Sequence, residues 1–340
     1  MKFVIDAFGG DNAPKEIVRG AVTSVNLFSD VNIVLSGDKT KIEAELAEIG
    51  YTGDKIEIID APEVIGFNES PTMAIRQKKN SSLVAGLTAL KEREDLDAFI
   101  SLGSTGAVLA GGLFVVGRID GVLRPTLASV MPNSKGKKTI LIDCGANVDC
   151  KSEYLVQFAK MGSAYLRCLE NVASPRVALL SVGTEDHKGN SLTLETFNLL
   201  KEEKDINFVG NMEARDLLSG NYDVVVCDGF AGNVALKASE GTARFLINEI
   251  KTEIKSAGIF AKLGAWLLKK SFKNIKRRID YEAIGSPFIG VKKLVIKGHG
   301  SGNAKTIFAL VSQARELTIK NTLNEIENSI KTKGGSDGGV

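Results

Sequence analysis

The chain has 340 residues, 44% of them apolar and 25% charged, which is ordinary globular composition and excludes a disordered or fibrous protein. With 43 basic and 41 acidic residues the net charge is +2, so the chain as a whole gives no signal for nucleic acid. Aromatics at 6% with a single Trp argue against a β-sandwich or propeller, and no apolar run reaches the ~20 residues that span a bilayer.

Short Val/Ile-rich runs alternate with segments of helical period along the chain. Phe3–Ile5 is followed by Pro14–Phe28, Ile33–Leu35 by Lys39–Ile49, and Ile56–Ile59 by Ser81–Glu94. Ala98–Ile100 leads to Gly106–Val116, Thr139–Ile142 to Ser152–Cys168, and Val177–Leu180 to Ser191–Glu202. Ile206–Val209 and Val224–Cys227 precede Val234–Lys255, and Leu294–Ile296 precedes Asn303–Ser329. Runs apolar on both faces suit buried parallel strands. The alternation predicts a three-layer α/β/α fold with a mainly parallel sheet. No linker divides residues 1–330, which read as one α/β/α domain, with two lobes left open. A cationic amphipathic insertion interrupts it at about 254–280, and the low-complexity tail 331–340 is expected to be disordered. The N-terminus enters a strand pattern directly with no leader, so a cytoplasmic location is expected. Four cysteines without CxxC spacing and two histidines predict reduced thiols and no metal site.

Three of the strands end alike, in an Asp and a glycine loop that opens a helix. Asp6 runs into AFGGD with Gly9, Gly10 and Asp11; Asp143 into CGANVD with Asn147; Asp228 into GFAGN with Gly229, Gly232 and Asn233. In a parallel sheet such loops share the carboxyl edge, where ligands bind. Glycine lets N–H groups face an anion, and the helix N-terminus adds about half a positive charge. Gly103-Ser104-Thr105-Gly106 adds hydroxyls at the same edge. The loop from Gly183 and Thr184 to Lys188 adds an ammonium suited to a phosphate or an oxyanion. His299 and Ser301 stand in a last glycine loop, where a histidine can move a proton near neutral pH. P-loop, GxSxG, HExxH and GxGxxG motifs are absent, so the anion is expected to be a small phosphate rather than a nucleotide, with no cofactor.

Lys255–Arg278 carries eight basic residues and no acidic one, which leaves the rest of the chain at net −6. Ile259, Phe260, Leu263, Trp266, Leu267 and Leu268 recur mostly at helical spacing, with Lys262, Lys269, Lys270 and Lys273 among them. This pattern suits an anionic membrane surface or an acidic protein partner.

Together the segments IDAFGGDNAPKEIV from Ile5, AIRQKKNSSLVAGL from Ala74, SLGSTGAVLAGGLF from Ser101, IDCGANVDC from Ile142, PRVALLSVGTEDHKGN from Pro175, DVVVCDGFAGNVALK from Asp223 and VIKGHGSGNAK from Val295 closely resemble the PlsX-type phosphate acyltransferases of bacterial phospholipid synthesis. The resemblance covers essentially all of residues 1–320. Phe8 stands where that family usually has Met, and Ser104 where Asn is common. It implies a fold like isocitrate dehydrogenase and phosphotransacetylase, and a homodimer. It also implies reversible transfer of a fatty acyl group from acyl carrier protein to inorganic phosphate, feeding a membrane glycerol-3-phosphate acyltransferase. On that reading Lys188, His299, Asp228 and Asn233 are the expected catalytic residues. Asp6, Gly9, Gly10, Asp11, Ser104, Thr105, Asp143, Asn147, Gly183, Thr184, Gly229, Gly232 and Ser301 are expected to bind phosphate or substrate. Lys262, Trp266, Leu267, Lys269, Lys270 and Lys273 are expected to contact membrane or carrier protein, with the enzyme peripheral on the inner face of the cell membrane. Phosphotransacetylase-like transfer from an acyl-coenzyme A and a non-catalytic membrane scaffold of lipid synthesis stay open as alternatives.

Overall fold

A computed structural model describes residues 1–278 and 284–331. Five strands, β1 (Lys2–Asp6), β2 (Asn32–Gly37), β3 (Ile56–Asp60), β4 (Ala98–Ser101) and β11 (Leu294–Lys297), form one parallel group. Four more, β6 (Lys138–Ile142), β7 (Arg176–Ser181), β8 (Asn207–Glu213) and β9 (Val224–Val226), form a second. Between them lie β5 (Thr126–Pro132) and β10 (Ser286–Ile289), each antiparallel to both neighbours. The result is one 11-stranded sheet in the order β3-β2-β1-β4-β11-β10-β5-β6-β9-β7-β8.

Helices α1 (Lys15–Leu27), α2 (Lys39–Ile49), α4 (Ser82–Glu92), α6 (Ser152–Glu170), α7 (Ser191–Glu202) and α11 (Ala304–Ile319) fall where helical period was read. So does α5 (Thr105–Gly111), which continues as a wider turn over Gly112–Val116. The remaining helices are α3 (Pro71–Gln77), α8 (Gly229–Ser256), α9 (Ile259–Leu267), α10 (Lys269–Arg278) and α12 (Thr322–Lys331). The single helix expected over Asn303–Ser329 breaks in two at Asn321, whose φ of 52° is left-handed. Strand interiors such as Phe3–Ile5 and Val224–Val226 are fully buried, because helices cover both faces of the sheet.

Three differences from the sequence reading matter for function. The two unread strands, β5 and β10, reverse the sheet, so β6, β9 and β7 run against β1, β4 and β11. The loops after Asp143 and Asp228 therefore leave the opposite edge from the loops after Asp6 and Lys297, and the single shared carboxyl edge does not exist. Secondly, GFAGN is the first turn of α8 rather than a loop. Thirdly, the insertion begins earlier than 254. The last buried residue of α8 is Leu236, and α9 buries none of its residues. From there Phe245, Leu246, Ile259, Phe260, Trp266 and Leu267 are all more than half exposed, so this helical projection does not pack on the core. Residues 279–280 of the insertion and 332–340 of the tail lie outside the described residues.

Candidate active site

The strand ends build one polar row across the sheet. Ser36 pairs with Asp6, Ser101 with Lys297, and Lys297 with Ser286. Asp6 Oδ2 accepts from Ser101 Oγ at 2.7 Å, and the hydroxyls of Ser129 and Ser286 lie 2.9 Å apart. A buried polar group without a hydrogen bond costs on the order of 1–3 kcal/mol, so a row like this persists where the partners satisfy one another or a ligand completes them.

Where the row crosses the reversal in strand direction, a cavity of about 130 Å³ opens. That is roughly ten times the ~10–15 Å³ that admits one water. Its lining joins both halves of the sheet: Thr105 from the first turn of α5, Lys297 and His299 from the end of β11, Ser129 and Ser286 from the reversing strands, and Cys144, Asn233, Lys237 and Glu240 from the other half. The turns that start from opposite edges meet here because of the strand stagger: Ser129, whose hydroxyl faces Ser286, pairs with Leu141, one residue before the end of β6.

Charge in the cavity is unbalanced. Lys237 Nζ is 2.8 Å from Glu240 Oε2. Lys297 is 9% exposed, and its Nζ donates to the Gly298 carbonyl. Among the described residues no carboxylate comes within 4.0 Å of it. Burial lowers its pKa to about 8; nearby Lys237 acts the same way and Asp11 opposes it. His299 Nδ1 lies 2.9 Å from Ser301 Oγ, on an exposed turn at the cavity mouth.

The expected site residues divide. Thr105, Asn233 and His299 line the cavity, and Ser301 holds His299. Ser104 caps α5 beside Thr105, with its hydroxyl not bonded to the helix. Asp11 lies close by, its N–H donating to Gly300 O at 2.8 Å. Asp6, Gly9 and Gly10 instead line a second recess of about 140 Å³, walled by Phe8, Val64, Ile65, Phe67 and Leu83. Gly9 leaves no room for a side chain, since a Cβ there would sit 2.8 Å from the Gly103 nitrogen.

Asp143 is turned inward. Its Oδ1 accepts from the N–H groups of Leu127, Gly145 and Ala146, and its Oδ2 from the N–H and the amide of Asn147, at 2.7 to 3.1 Å. Asn147 spends its amide on Asp143 and Pro125 O. Asp228 caps α8 through Ala231 N–H. Gly229 N–H donates to Asn147 O, and Gly232 N–H to Asp228 O. These five residues shape the turn against which Asn233 packs; the Asp143 carboxylate and the Asn147 amide are bonded within it, Asp228 gives one carboxylate oxygen to the α8 cap, and none of the five lines the cavity. Gly183, Thr184 and Lys188 stand on the loop after β7, with Lys188 exposed and outside the cavity lining. The buried cation of the site is Lys297, which sequence reasoning passed over. Its signal was present, as a charged residue closing the apolar run Leu294–Ile296.

The one thiol in the cavity lining, Cys144, is buried, which pushes its pKa up to about 12 and keeps it protonated. A thiol that stays protonated is a poor nucleophile. Cys144→Ala is therefore expected to keep its turnover within about threefold, and intact-protein mass spectrometry during turnover should show no acyl adduct. A hundredfold loss in Cys144→Ala would contradict this.

The family model described as fatty acid synthesis protein matches residues 1–325. A phosphate acyltransferase from Clostridium botulinum (strain Alaska E43 / Type E3) is 46% identical over 334 residues, covering 98% of this chain and 100% of that one. One from Bacillus subtilis (strain 168) is 45% identical over 332 residues, covering 97% and 98%. Among solved structures, a phosphotransacetylase from Streptococcus pyogenes superposes with a TM-score of 0.59 at 18% identity, covering 96% of this chain and 94% of that one. At that identity the likeness shows the fold. The chain belongs to the fatty acid synthesis protein family and, within it, to the phosphate acyltransferases, a group of acyltransferase enzymes.

Proposed function

We propose that the protein transfers a fatty acyl group reversibly from acyl carrier protein to inorganic phosphate, giving acyl phosphate for phospholipid synthesis. The observation that carries this reading is the cavity at the sheet reversal, where hydroxyls, an amide, a histidine and an unbalanced cation converge and the one thiol, Cys144, is held protonated by burial. A phosphate oxygen attacks the thioester carbonyl, the new C–O bond forms, and the C–S bond breaks. The proton carried by phosphate passes through His299 to the departing thiolate. Asn233 and Thr105 donate to the oxyanion of the tetrahedral intermediate, a contribution that can reach about 3–4 kcal/mol per donor. The apolar recess beside Gly103 suits the acyl chain. Lys188 is kept as an outer phosphate contact, tested as Lys188→Ala alongside His299→Ala.

The test is incubation of the purified protein with long-chain acyl carrier protein and phosphate, with acyl phosphate trapped by hydroxylamine. Hydroxamate is expected with the carrier-protein donor, and much less with acyl-coenzyme A. Hydroxamate from acyl-coenzyme A alone would overturn the choice of donor.

The projection formed by α8, α9 and α10 supports peripheral contact with an anionic membrane, with the acidic carrier protein and with the membrane glycerol-3-phosphate acyltransferase. A homodimer is the expected assembly. Among the described residues no helix is long and apolar enough to cross a membrane. A lysine near an anionic leaflet is worth about 1 kcal/mol. Replacing Lys269, Lys270 and Lys273 with Gln should therefore weaken binding to anionic vesicles by roughly 100-fold at low salt. Unchanged sedimentation with vesicles would contradict the membrane contact.

A further inference from the structure

We propose that Lys297 is the phosphate anchor of this cavity, its ammonium providing the charge that holds the phosphate dianion against the Ser286 and Ser129 hydroxyls. The inference rests on the phosphate acyl-transfer reading and assigns that site its principal cation.

The argument starts from placement. Lys297 closes β11 in the polar row, between Ser101 and Ser286, and its side chain lines the cavity with Thr105, Asn233 and His299. A buried ammonium is costly unless it is paired. The row offers it neutral hydroxyls, and its bond goes to a backbone carbonyl. The charged groups around it come from three elements. Lys237 and Glu240 of α8 are matched to one another. Asp11, on the β1 turn, acts on Lys297 without reaching ion-pair distance. Asp6, two strands away, spends its Oδ2 on Ser101. The remaining titratable groups are Cys144, held protonated, and His299 at the mouth. An isolated cation in a roomy polar cavity is stabilised when an anion enters, and a dianion satisfies the ammonium and the hydroxyls together.

The arrangement also sets a pH dependence. Above pH 8 free phosphate is already a dianion, so any further loss of affinity belongs to the protein. Burial holds the Lys297 pKa at about 8 in the free protein. Each pH unit above that should therefore cost about tenfold in phosphate affinity.

The experiment measures inorganic phosphate binding to the full-length protein by calorimetry, without an acyl donor, from pH 6.5 to 9.5. Lys297→Met should weaken binding at least 30-fold at pH 7 while melting at the same temperature as the parent or higher, because a buried unpaired charge has been removed. It should raise the KM for phosphate far more than the KM for the acyl donor. Lys297→Arg, permanently charged, should retain part of the affinity and lose the decline above pH 8. Parental phosphate affinity in Lys297→Met overturns the assignment. So does a decline above pH 8 that persists in Lys297→Arg, or a loss of affinity that merely tracks a lower melting temperature. Phosphate binding through Lys297 with no acyl phosphate formed would sink the acyl-transfer reading and leave this assignment standing. Parental acyl phosphate formation in Lys297→Met would do the reverse.

Discussion

Gly232→Ala should be among the most damaging single-methyl additions in the chain. A Cβ at this position would lie 1.8 Å from the Asp143 carbonyl oxygen and 2.7 Å from Cys227 Sγ. The oxygen belongs to backbone held by the Asp143 turn, so it cannot swing aside, and the first turn of α8 must lift off β6. Overpacking of this kind costs about 3 kcal/mol or more, and it displaces the neighbouring Asn233 from the cavity. The urea midpoint of Gly232→Ala should fall steeply, and the protein that remains folded should lose most of its turnover. Gly241→Ala, in the same helix, is the matched control. Nothing lies within 4 Å of its added Cβ, so it should gain about 0.5–1 kcal/mol from lower backbone entropy in the unfolded chain. Equal midpoints for the two variants would contradict the close packing of α8 on the Asp143 turn.

Asp143→Ala comes next. The buried carboxylate accepts five N–H bonds, four from its own turn and one from Leu127 on the adjacent strand β5. Burial pushes its pKa up, and the bonds from Ala146, Asn147 and Leu127 pull it back. Removing the acceptor strands several buried donors at about 1–3 kcal/mol each, so a loss of more than about 4 kcal/mol is expected, with soluble expression reduced. Asp143→Asn keeps one acceptor oxygen but turns an NH2 toward the Asn147 donors. It should lose about half as much and loosen Gly145, on which Asn233 rests. Hydrogen exchange at Gly145–Asn147 separates this account from a direct role in substrate binding. Faster exchange together with lower stability is expected. Full stability with a loss confined to phosphate binding would show that the carboxylate faces substrate after all.

These two variants show where the sequence was legible and where it was not. Buried parallel strands announce themselves as apolar runs, so nine of the strands and most helices could be placed from residue order. β5 and β10 escaped. β10 is four residues with Pro287 inside it, and the TLASVM run of β5 follows Arg124 and Pro125 with no helical segment between it and β6 to mark a parallel strand. Missing that pair concealed the reversal, and with it the cavity where the two halves of the sheet meet. The Asp-glycine turns after Ile142 and Val226 stand out in the sequence, but sequence cannot show whether a carboxylate points toward a ligand or into its own turn. Asp143 and Asp228 do the latter, while Asn233, the fifth residue of α8, lines the cavity. Lys297 was hidden for a related reason. A lysine at the end of a strand reads as solvent-facing until its strand neighbours are known, and those neighbours, Ser101 and Ser286, are 196 and 11 positions away. Phe8 illustrates the same limit, since its ring lies over Gly37 on another strand, where a Cβ would fall 2.3 Å from it.

Phosphate as the attacking group is the claim on which the rest depends. The most direct measurement is a single turnover with oxygen-18-labelled phosphate and long-chain acyl carrier protein, followed by mass spectrometry of the intact product. Acyl phosphate carrying all four labelled oxygens, with no acylated protein on the path, is the predicted result. A product that has exchanged a labelled oxygen for one from water, or an acyl group found first on the protein, would contradict it.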